Sequence, residues 1–473
     1  MNTPDIAAVQ AILRSNLTLM IQRVFMELNP GTLYHPNWHI EAIAYQLERC
    51  FRRDCKRLII TLPPRHLKSI STSIAFVAWA LGHDPALRFL CVSYGEALAN
   101  KLSEDTRRVL LAPWYQACFP QTCLTTQTQS LLETSETGYR LAFTPGGATT
   151  GFGADFIIMA DIHKADDVLS VTKRESALTY VDHTLRSRLN DPENGVIIVI
   201  QQRLHEADLV GHLLEQGETW THLNLPAIAE EAQSIPIGPG KFYHRAVGEV
   251  LHPALHSDET LNAQRIAMGE RHFATQYQQR PAPIEGAIID VTKLRYYSHI
   301  TRRSPETFVA QAWDTAYTIS EKSNWTVCIT ALVSPTGKIV VVDLYRVRLK
   351  FAAVEQAIYA QAREWHPSVV VVESAGAGQA LVQNLLNARR LPIVHHRPRH
   401  DKVTRMLAET PALENGKVFL PKKAPWLECF LRELRNFPNG TYDDQVDALS
   451  LFLYAARHNF GNMHHSYPPY WED

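Results

Sequence analysis

Apolar segments in the C-terminal half of the chain end in acidic residues, and this pattern constrains the fold more than any other feature. Asp314 closes the segment FVAQAWD, and Glu373 closes the segment VVVVE. Asp444 and Asp447 lie in TYDDQVDALSLFL, where the apolar residues that follow predict a helix. Carboxylates that end core elements in distant parts of a chain can converge at one edge of a sheet. Carboxylate oxygens are the ligands that Mg²⁺ and Mn²⁺ prefer.

The order of these acidic groups is typical of one class of metal site. A strand-end Asp, a later strand-end Glu and an Asp pair that opens a helix form the layout of a ribonuclease-H-like nuclease. Two Mg²⁺ or Mn²⁺ ions there can hold the attacking and leaving oxygens of a phosphodiester. The candidate catalytic residues and metal ligands are Asp314, Glu373, Asp444 and Asp447.

The Asp cluster leaves alternatives open. Asp444 and Asp447 are three residues apart and share a helix face, whereas Asp443 points about 100° away and suits a helix N-cap. A lone Asp is more often a cap or a surface charge than a ligand. Asp343, in VVVDLYRV, is a weaker candidate beside the site or on the surface.

Bulk composition indicates a globular protein of several domains. A chain of 473 residues is too long for one core, and its apolar content of 45% and charged content of 20% are ordinary. The net charge of -1 provides no global attraction to nucleic acid, so contacts with DNA require local basic segments. Residues 52–57 and 395–402 qualify, although a solvated surface is the alternative for each. Arg397, Arg399, Lys402 and Arg405 are candidates to contact the DNA backbone.

Neither targeting nor disulfide chemistry is indicated. The seven cysteines are scattered, the N-terminus lacks a signal-peptide pattern, and no apolar stretch reaches the length of a membrane span. We therefore expect a cytoplasmic protein that does not contact a membrane.

Strands alternate with helices, which predicts an α/β chain with mostly parallel sheets. We expect a helical segment over 1–50, an α/β domain over 51–282, a linker over 283–305, a second α/β domain over 306–458 and a flexible tail over 459–473. In the second domain FVAQAWD, TVCITALV and KIVVVDLYRV read as successive strands.

A candidate phosphate loop lies near residue 65. RLIITL reads as a strand, ISTSIAFVAWALG as a helix, and PPRHLKS connects them. The candidate nucleotide-binding residues are Pro64, Arg65, His66, Leu67, Lys68 and Ser69. Lys68 would reach the β- and γ-phosphates, Ser69 would bind Mg²⁺, and Arg65 would contact the γ-phosphate. Leu67 stands where a glycine is usual, and a capped helix with an incidental Lys-Ser pair is the alternative.

These segments resemble, in order, the large terminase subunit of tailed bacteriophages. PPRHLKS is similar to that family's variant Walker A motif. The other matching segments are RFLCVSYGEALANKLSEDTRR, TGFGAD, QQRLHEADLVGHLL, FATQYQQRPAPIEGAI, AWDTAYTISEKSNWTVC, VVESAGAGQALVQNL, PWLECFLRELRNFPNG and YDDQVDALS. The resemblance spans about residues 30–460. It implies an N-terminal P-loop NTPase domain of the RecA/ASCE-like class and a C-terminal ribonuclease-H-like nuclease domain.

The resemblance also reveals a departure in the Walker B segment, FIIMADIHK. Ala160 takes the place of the first family acid and Asp161 that of the second, which helps to activate water. Asp161 or Asp155 is a weak substitute for the first acid, because successive strand residues face opposite sides. Phe152 replaces the arginine expected in the glycine turn. By the same resemblance Gln201, Gln202 and Arg203 are candidates to sense the γ-phosphate, or else they form a polar loop; Gln202 is included in the nucleotide site.

The implied function is ATP-driven translocation of double-stranded DNA into procapsids and metal-dependent cutting of concatemers. The implied cofactors are ATP with one Mg²⁺, and two Mg²⁺ or Mn²⁺ ions at the nuclease. The implied partners are DNA, the small terminase subunit and the portal protein of the procapsid, with a ring on the portal and a monomer in solution, in the cytoplasm of a bacterial host. The tail after 458 either docks on the portal or frays. Two alternatives are a nuclease with an ATPase-defective N-terminal domain and a non-enzymatic portal-docking assembly factor.

Overall fold

The chain forms two compact units in the computed structural model, Met1–Pro283 and Ile284–Asp473. The structure describes residues 6–147, 151–165, 167–281, 288–299, 307–315, 325–375, 378–440 and 442–460. Among these residues, no helix combines the length and the apolar character needed to span a membrane.

The helices of the first unit surround its sheet. They are α1 Ile6–Ser15, α2 Leu17–Leu28, α3 Trp38–Phe51, α4 Val77–His83, α5 Glu96–Leu111, α6 Pro113–Cys118, α7 Val171–Tyr180, α8 Leu209–Glu215, α9 Asp258–Met268 and α10 Glu270–Gln276. Two π-helical segments, Ile70–Phe76 and Val181–Leu185, and a 3₁₀ turn, Arg186–Arg188, continue or link these helices.

The strands of the first unit form an eight-stranded sheet and a separate hairpin. They are β1 Arg57–Thr61, β2 Arg88–Val92, β3 Leu124–Gln127, β4 Leu131–Thr134, β5 Tyr139–Phe143, β6 Phe156–Ala160, β7 Val196–Gln201, β8 Thr221–Asn224, β9 Gln233–Gly238 and β10 Lys241–Arg245. The sheet order is β3-β4-β5-β2-β6-β7-β1-β8. Strand β7 lies between β1 and β6, and all pairs from β5 to β8 are parallel. One strand therefore separates β6 from β1, the strand before the candidate phosphate loop, and this order matches the expected P-loop NTPase fold of the RecA/ASCE-like class.

Both faces of this sheet are covered, which explains why its central strands read as continuous apolar runs. Leu58 and Ile60 of β1 join a core with helices α2, α3 and α5, while Ile59 joins a second core on the other face. The helices of residues 6–51, expected as a separate segment, thus share the first core with the sheet.

The second unit has a mixed seven-stranded sheet. Its elements are β11 Arg295–Tyr297, β12 Phe308–Asp314, β13 Thr326–Val333, β14 Ile339–Val347, α11 Phe351–Trp365, β15 Val369–Glu373, α12 Gly378–Ala388, β16 Ile393–His396, α13 Lys402–Glu414, β17 Val418–Pro421, α14 Leu427–Asn436 and α15 Asp444–His458, with a 3₁₀ turn at Val291–Lys293. The strand order is β11-β17-β14-β13-β12-β15-β16. The three predicted strands β12, β13 and β14 form an antiparallel meander at its centre.

One part of the expected linker belongs to this sheet. Residues 295–297 pair in parallel with Phe419–Pro421 of β17, so the region 283–305 contains an edge strand and not only a connection. The aromatic residues of RYY favour the pleated conformation, a signal that the surrounding Gly and Pro residues hid. The tail after 458 lies outside the described residues beyond Phe460.

Candidate functional site

The centre of the second sheet brings two predicted acids to one edge. Strands β12 and β15 are parallel neighbours, and Trp313 pairs with Val372. The next residues, Asp314 and Glu373, therefore end adjacent strands side by side. Their side chains share a face, because Trp313 packs into the opposite core with α11 and α12.

Helix α15 delivers the other acids to the same edge. Asp443 is its N-cap residue, and Asp444 and Asp447 lie in its first turn. The Asp443 side chain makes no capping hydrogen bond and instead pairs with Lys402. Asp444 is buried, while Asp447 retains partial access to solvent.

A protein cation stands among these carboxylates. Arg405 on α13 donates from Nη1 to Glu373 at 2.7 Å and from Nη2 to Asp447 at 2.9 Å. The guanidinium therefore joins a strand-end acid to a helical acid. Its Nε is buried and has no hydrogen-bond partner in the described part of the chain. The sequence suggested Arg405 only as a contact for the DNA backbone, since nothing in DKVTRM indicates that it faces inward.

The electrostatics of the cluster are those of crowded acids. Burial, and then the charges of Asp447, Glu373 and Asp444, hold the pKa of the Asp314 carboxyl well above its usual value. Burial raises the pKa of Asp447 to about 6, although Arg405 acts in the opposite direction. Burial is also the main reason for the raised pKa of Asp444. The cluster lacks enough positive charge to keep every carboxyl ionised, and bound cations would supply it.

The hard oxygen donors and this charge deficit fit divalent cations. Within the described ranges, however, no three His, Cys, Asp or Glu side chains are grouped closely enough to hold a metal ion. Arg405 gives the physical reason, since its guanidinium fills the space between Glu373 and Asp447. The residues match the donor set, but ion binding requires this arginine to yield.

Asp343 lies apart from this cluster. Its neighbours are Glu364 and Trp365 of α11, and burial raises its pKa. It therefore faces the sheet surface opposite to Asp314. Arg397 and Arg399, predicted to contact DNA, are exposed just after β16, whose last residue His396 pairs with Glu373.

In the first unit, the predicted phosphate loop connects β1 to the π-helical segment Ile70–Phe76. Arg65 and Leu67 have φ angles of 69° and 59°, so two residues with side chains adopt the left-handed conformation that favours glycine. Leu67 thus adopts the left-handed backbone conformation that a glycine would favour at this position. His66 Nδ1 contacts the Pro64 carbonyl oxygen at 2.9 Å, and Ser69 directly precedes the π-helical segment.

Lys68 points to the carboxyl edge of the parallel strands. Its Nζ lies 3.4 Å from Gln202 Oε1 and 4.0 Å from Asp161 Oδ1. Burial lowers the pKa of Lys68, and Asp161 opposes that shift. Lys68, Asp161 and Gln202 therefore meet, although 134 residues separate the first from the last.

The Walker B departure has a clear structural setting. Ala160 is buried in the core that includes α3 and the π-helical segment. Asp161 follows with a φ of 50°, and this turn brings its carboxylate towards Lys68 in spite of strand alternation. Asp155 cannot replace the missing carboxylate at position 160, because it precedes β6 at the opposite end of the strand. There it accepts a hydrogen bond from the Arg88 N–H at 2.8 Å. Phe152 packs against Tyr139, with ring centroids 5.5 Å apart.

The proposed γ-phosphate sensors differ in position. Arg203 is buried and its Nε contacts both carboxylate oxygens of Asp208 at 3.0 Å. This buried ion pair occupies the guanidinium, so Arg203 has a structural role and is not available to sense phosphate. Gln201 is buried at the end of β7, and of the three only Gln202 contacts Lys68.

A group of histidines beside the phosphate loop was not predicted. The His66 ring lies 5.6 Å from His39, 6.2 Å from His252 and 5.4 Å from His256, measured between centroids. Burial lowers the pKa of His66 to about 4. The rings therefore pack as neutral groups. No local pattern of the sequence indicates this group, because its three segments are far apart in the chain.

Comparison with known families defines the second unit. Residues 311–456 match the family model described as the terminase RNaseH-like domain. The second unit is therefore a ribonuclease-H-like domain. This match confirms the resemblance to large terminase subunits stated from the sequence.

Solved structures of phage large terminases are similar to the chain at low identity. The large terminase of one thermophilic bacteriophage is 12% identical, with 87% of this chain and 98% of that chain covered and a TM-score of 0.49. The HK97 bacteriophage large terminase is 12% identical, with 93% and 99% covered and a TM-score of 0.36. The large terminase nuclease of thermophilic phage G20c with bound magnesium is 16% identical, with 36% and 98% covered and a TM-score of 0.29. No curated protein matches the chain.

Proposed function

We propose that the chain is the large subunit of a phage or prophage DNA-packaging terminase, and that its second unit cuts double-stranded DNA. The observation that carries this proposal is the meeting of Asp314, Glu373 and Asp447 at one sheet edge of a terminase ribonuclease-H-like domain. Three different elements, β12, β15 and α15, provide these acids. Their convergence from distant parts of the chain is not expected of acids scattered over a surface.

Two Mg²⁺ or Mn²⁺ ions, when bound, would activate the attacking water and stabilise the leaving oxygen. Asp314, from the central strand, would lie between the two ions. Glu373 would hold one of them, and Asp444 or Asp447 the other. Asp444 is buried, whereas Asp314, Glu373 and Asp447 keep partial access to solvent through which cations would enter. Arg405 would hold Glu373 and Asp447 in place until cations bind.

Plasmid cutting in the presence of Mn²⁺ tests this proposal. Asp314→Asn should abolish cutting, since it removes the acid that faces all the others. Asp258→Asn is the matched control, because it makes the same chemical change at an exposed acid of the first unit and should cut normally. Undiminished cutting by Asp314→Asn would rule out the proposed nuclease activity of the second unit. It would favour the alternative of a non-enzymatic portal-docking factor.

We also propose that the first unit binds ATP with one Mg²⁺ through Lys68, Ser69 and Gln202, along with loop residues Pro64, His66 and Leu67. Asp161 would act on the attacking water, and Arg65 would contact the γ-phosphate. The contact between Lys68 and Asp161 supports this assignment. Because Ala160 offers no oxygen to the ion, hydrolysis would be slow, and a nuclease with an ATPase-defective first unit is the second candidate.

The complete activity would be translocation of duplex DNA into a procapsid. The expected partners are the small terminase subunit and the portal protein, with a ring on the portal and a monomer in solution. The expected location is the cytoplasm of the bacterial host. Pull-down with the cognate portal from the same genome tests this part, and the nuclease assay above is independent of it.

A further inference from the structure

A basic cavity opens beside the acid cluster of the second unit. Its volume is about 1210 Å³, and it lies at the ends of the parallel strands β11, β14 and β17 next to the start of α14. Its lining includes Arg346, Lys422, Lys423, His299 and Trp426. A space of this size exceeds the roughly 300–1,000 Å³ of most small-molecule pockets, which favours an extended ligand.

Strand register fixes the distance between this cavity and the acids. Asp314 pairs with Val327, and Val327 pairs with Arg346 on the next strand. Neighbouring strands are about 4.8 Å apart, so Arg346 lies about 10 Å from Asp314 along the sheet edge. The side chains at 314 and 346 share the α15 face, because Arg346 contacts Glu433 of α14 and Asp314 interacts with Asp447.

The cations of the cavity divide into a fixed one and two available ones. Arg346 donates to Cys429 Sγ at 2.9 Å and lies 3.5 Å from Glu433, so packing holds it in place. Lys422 and Lys423 are exposed, and neither forms an ion pair within the described residues. Asp343 also lines the cavity, but it faces Glu364 on the other side of the sheet.

Aromatic rings link the cavity to the acid cluster. The guanidinium carbons of Arg346 and Arg348 lie 4.3 Å and 4.4 Å from the ring centroid of Trp325. The Trp325 backbone in turn hydrogen-bonds to the carboxyl group of Asp444. Arg346 therefore connects the two sites, because it stacks on Trp325 beside Asp444 and also lines the cavity with the two lysines.

We propose that this cavity is a phosphate-binding subsite for the duplex DNA that the acid cluster cuts, a step that rests on the nuclease function proposed above. Lys422 and Lys423 contact backbone phosphates there, and Arg346 with Trp325 shapes the floor. Lys422 and Lys423 follow β17, which is three strand spacings, about 14 Å, from β12. At a rise of about 3.4 Å per base pair, the contacted phosphates are therefore about four base pairs from the bond that is cut. Lysines on flexible stems suit such sequence-independent contacts.

The salt dependence of DNA binding tests this subsite. Fluorescence anisotropy of a labelled duplex, with the full chain in EDTA so that no cutting occurs, gives the affinity from roughly 50 to 200 mM salt. The test variant is Lys422→Gln with Lys423→Gln. The control is Lys338→Gln with Lys417→Gln, two exposed lysines at the opposite ends of the same strands β14 and β17.

In the test variant, the slope of log affinity against log salt should become shallower by about two, one for each lost phosphate contact. Lys422→Arg with Lys423→Arg should restore the slope, and the control pair should match wild type. A wild-type slope in the Gln variant, or an equal change in the control pair, would overturn the subsite. The nuclease proposal would survive that result, since it depends on Asp314→Asn.

Discussion

Arg405 donates a hydrogen bond of 2.7 Å to the carboxylate of Glu373, which ties helix α13 to the end of a central strand. The same guanidinium reaches Asp447 at 2.9 Å. One arginine thus neutralises part of the negative charge of the neighbouring acids. Cations that enter the cluster have to compete with it for the same two carboxylates.

Arg405→Gln should weaken the metal-free protein and strengthen its binding of Mn²⁺. Arg405 and its two partners are partly buried, so loss of its charged hydrogen bonds should cost roughly 1.5–3 kcal/mol. Loss of the competing cation should tighten Mn²⁺ binding by about tenfold or more, equivalent to about 1.4 kcal/mol. Thermal melting with and without MnCl₂, together with calorimetric titration, measures both effects.

The control for this experiment is Arg457→Gln. Arg457 lies on α15, the helix of Asp447, and pairs with Glu409 of α13 at 2.8 Å. Its side chain is half exposed and lies away from the acid cluster. This variant should bind Mn²⁺ as wild type does. Equal Mn²⁺ affinity in Arg405→Gln and wild type would mean that the guanidinium does not compete with the ions.

Ala160→Asp should raise the rate of ATP hydrolysis. The substitution restores the carboxylate that the resemblance to large terminase subunits implies at this position, and a gain of about tenfold corresponds to about 1.4 kcal/mol of transition-state stabilisation. Asp161→Asn should remove the residual activity of the wild type. Phosphate release at saturating ATP is the measurement.

Asp155→Asn provides the comparison for these two variants, because it alters an acid at the opposite end of the same strand. It should affect stability and leave the rate of hydrolysis unchanged. If wild type and Ala160→Asp hydrolyse ATP equally fast, the alanine at position 160 does not limit the rate of ATP hydrolysis by the first unit.

Acid should destabilise the first unit through His66. In the folded chain the pKa of His66 is about 4, below its ordinary value of 6.5. Between these two pH values His66 is therefore protonated in the unfolded chain and neutral in the folded chain. The contribution of His66 to the free energy of unfolding is therefore fully present above pH 6.5 and is lost as the pH falls towards 4. For His66 alone the free energy of unfolding should decrease by about 2 kcal/mol between pH 7 and pH 5.

Urea unfolding at several pH values measures this effect, with tryptophan fluorescence as the signal. His66→Gln should show a smaller loss between pH 7 and pH 5. His183→Gln replaces an exposed histidine of the same unit and should keep the wild-type dependence. An unchanged pH dependence in His66→Gln would contradict the buried neutral state of the ring.

Arg65→Gly should separate stability from catalysis. Arg65 is exposed and has a φ of 69°, so glycine relieves a strained backbone and should stabilise the chain by about 1 kcal/mol. If Arg65 contacts the γ-phosphate, the same variant should hydrolyse ATP more slowly. Arg65→Ala should lose the activity without the gain in stability, and a stability gain in both variants would exclude backbone strain as the cause.

The sequence predicted the elements that bear the site because their signals are local. Asp314 and Glu373 follow apolar runs, and a parallel arrangement of those runs suffices to bring them together. Asp444 and Asp447 were placed correctly at the start of a helix. The short strands β8, β11, β16 and β17 were not predicted, since three or four residues carry too little periodicity.

The contacts that depend on distant residues were beyond sequence reasoning. Arg203 looked like a free polar residue after a core strand, yet Asp208, five positions later, pairs with it in the interior. The approach of Asp161 to Lys68 needed a left-handed residue that strand alternation does not anticipate. Likewise, His39, His66 and His252 come from three segments, and only packing makes them neighbours.

The short strand β11 has a practical consequence for work on the isolated second unit. Arg295, Tyr296 and Tyr297 cover the outer border of β17, so a recombinant fragment that starts at residue 306 would leave that border uncovered. Uncovered strand borders recruit other chains and promote aggregation. A fragment that starts before residue 288 retains this protection and is the better choice for expression.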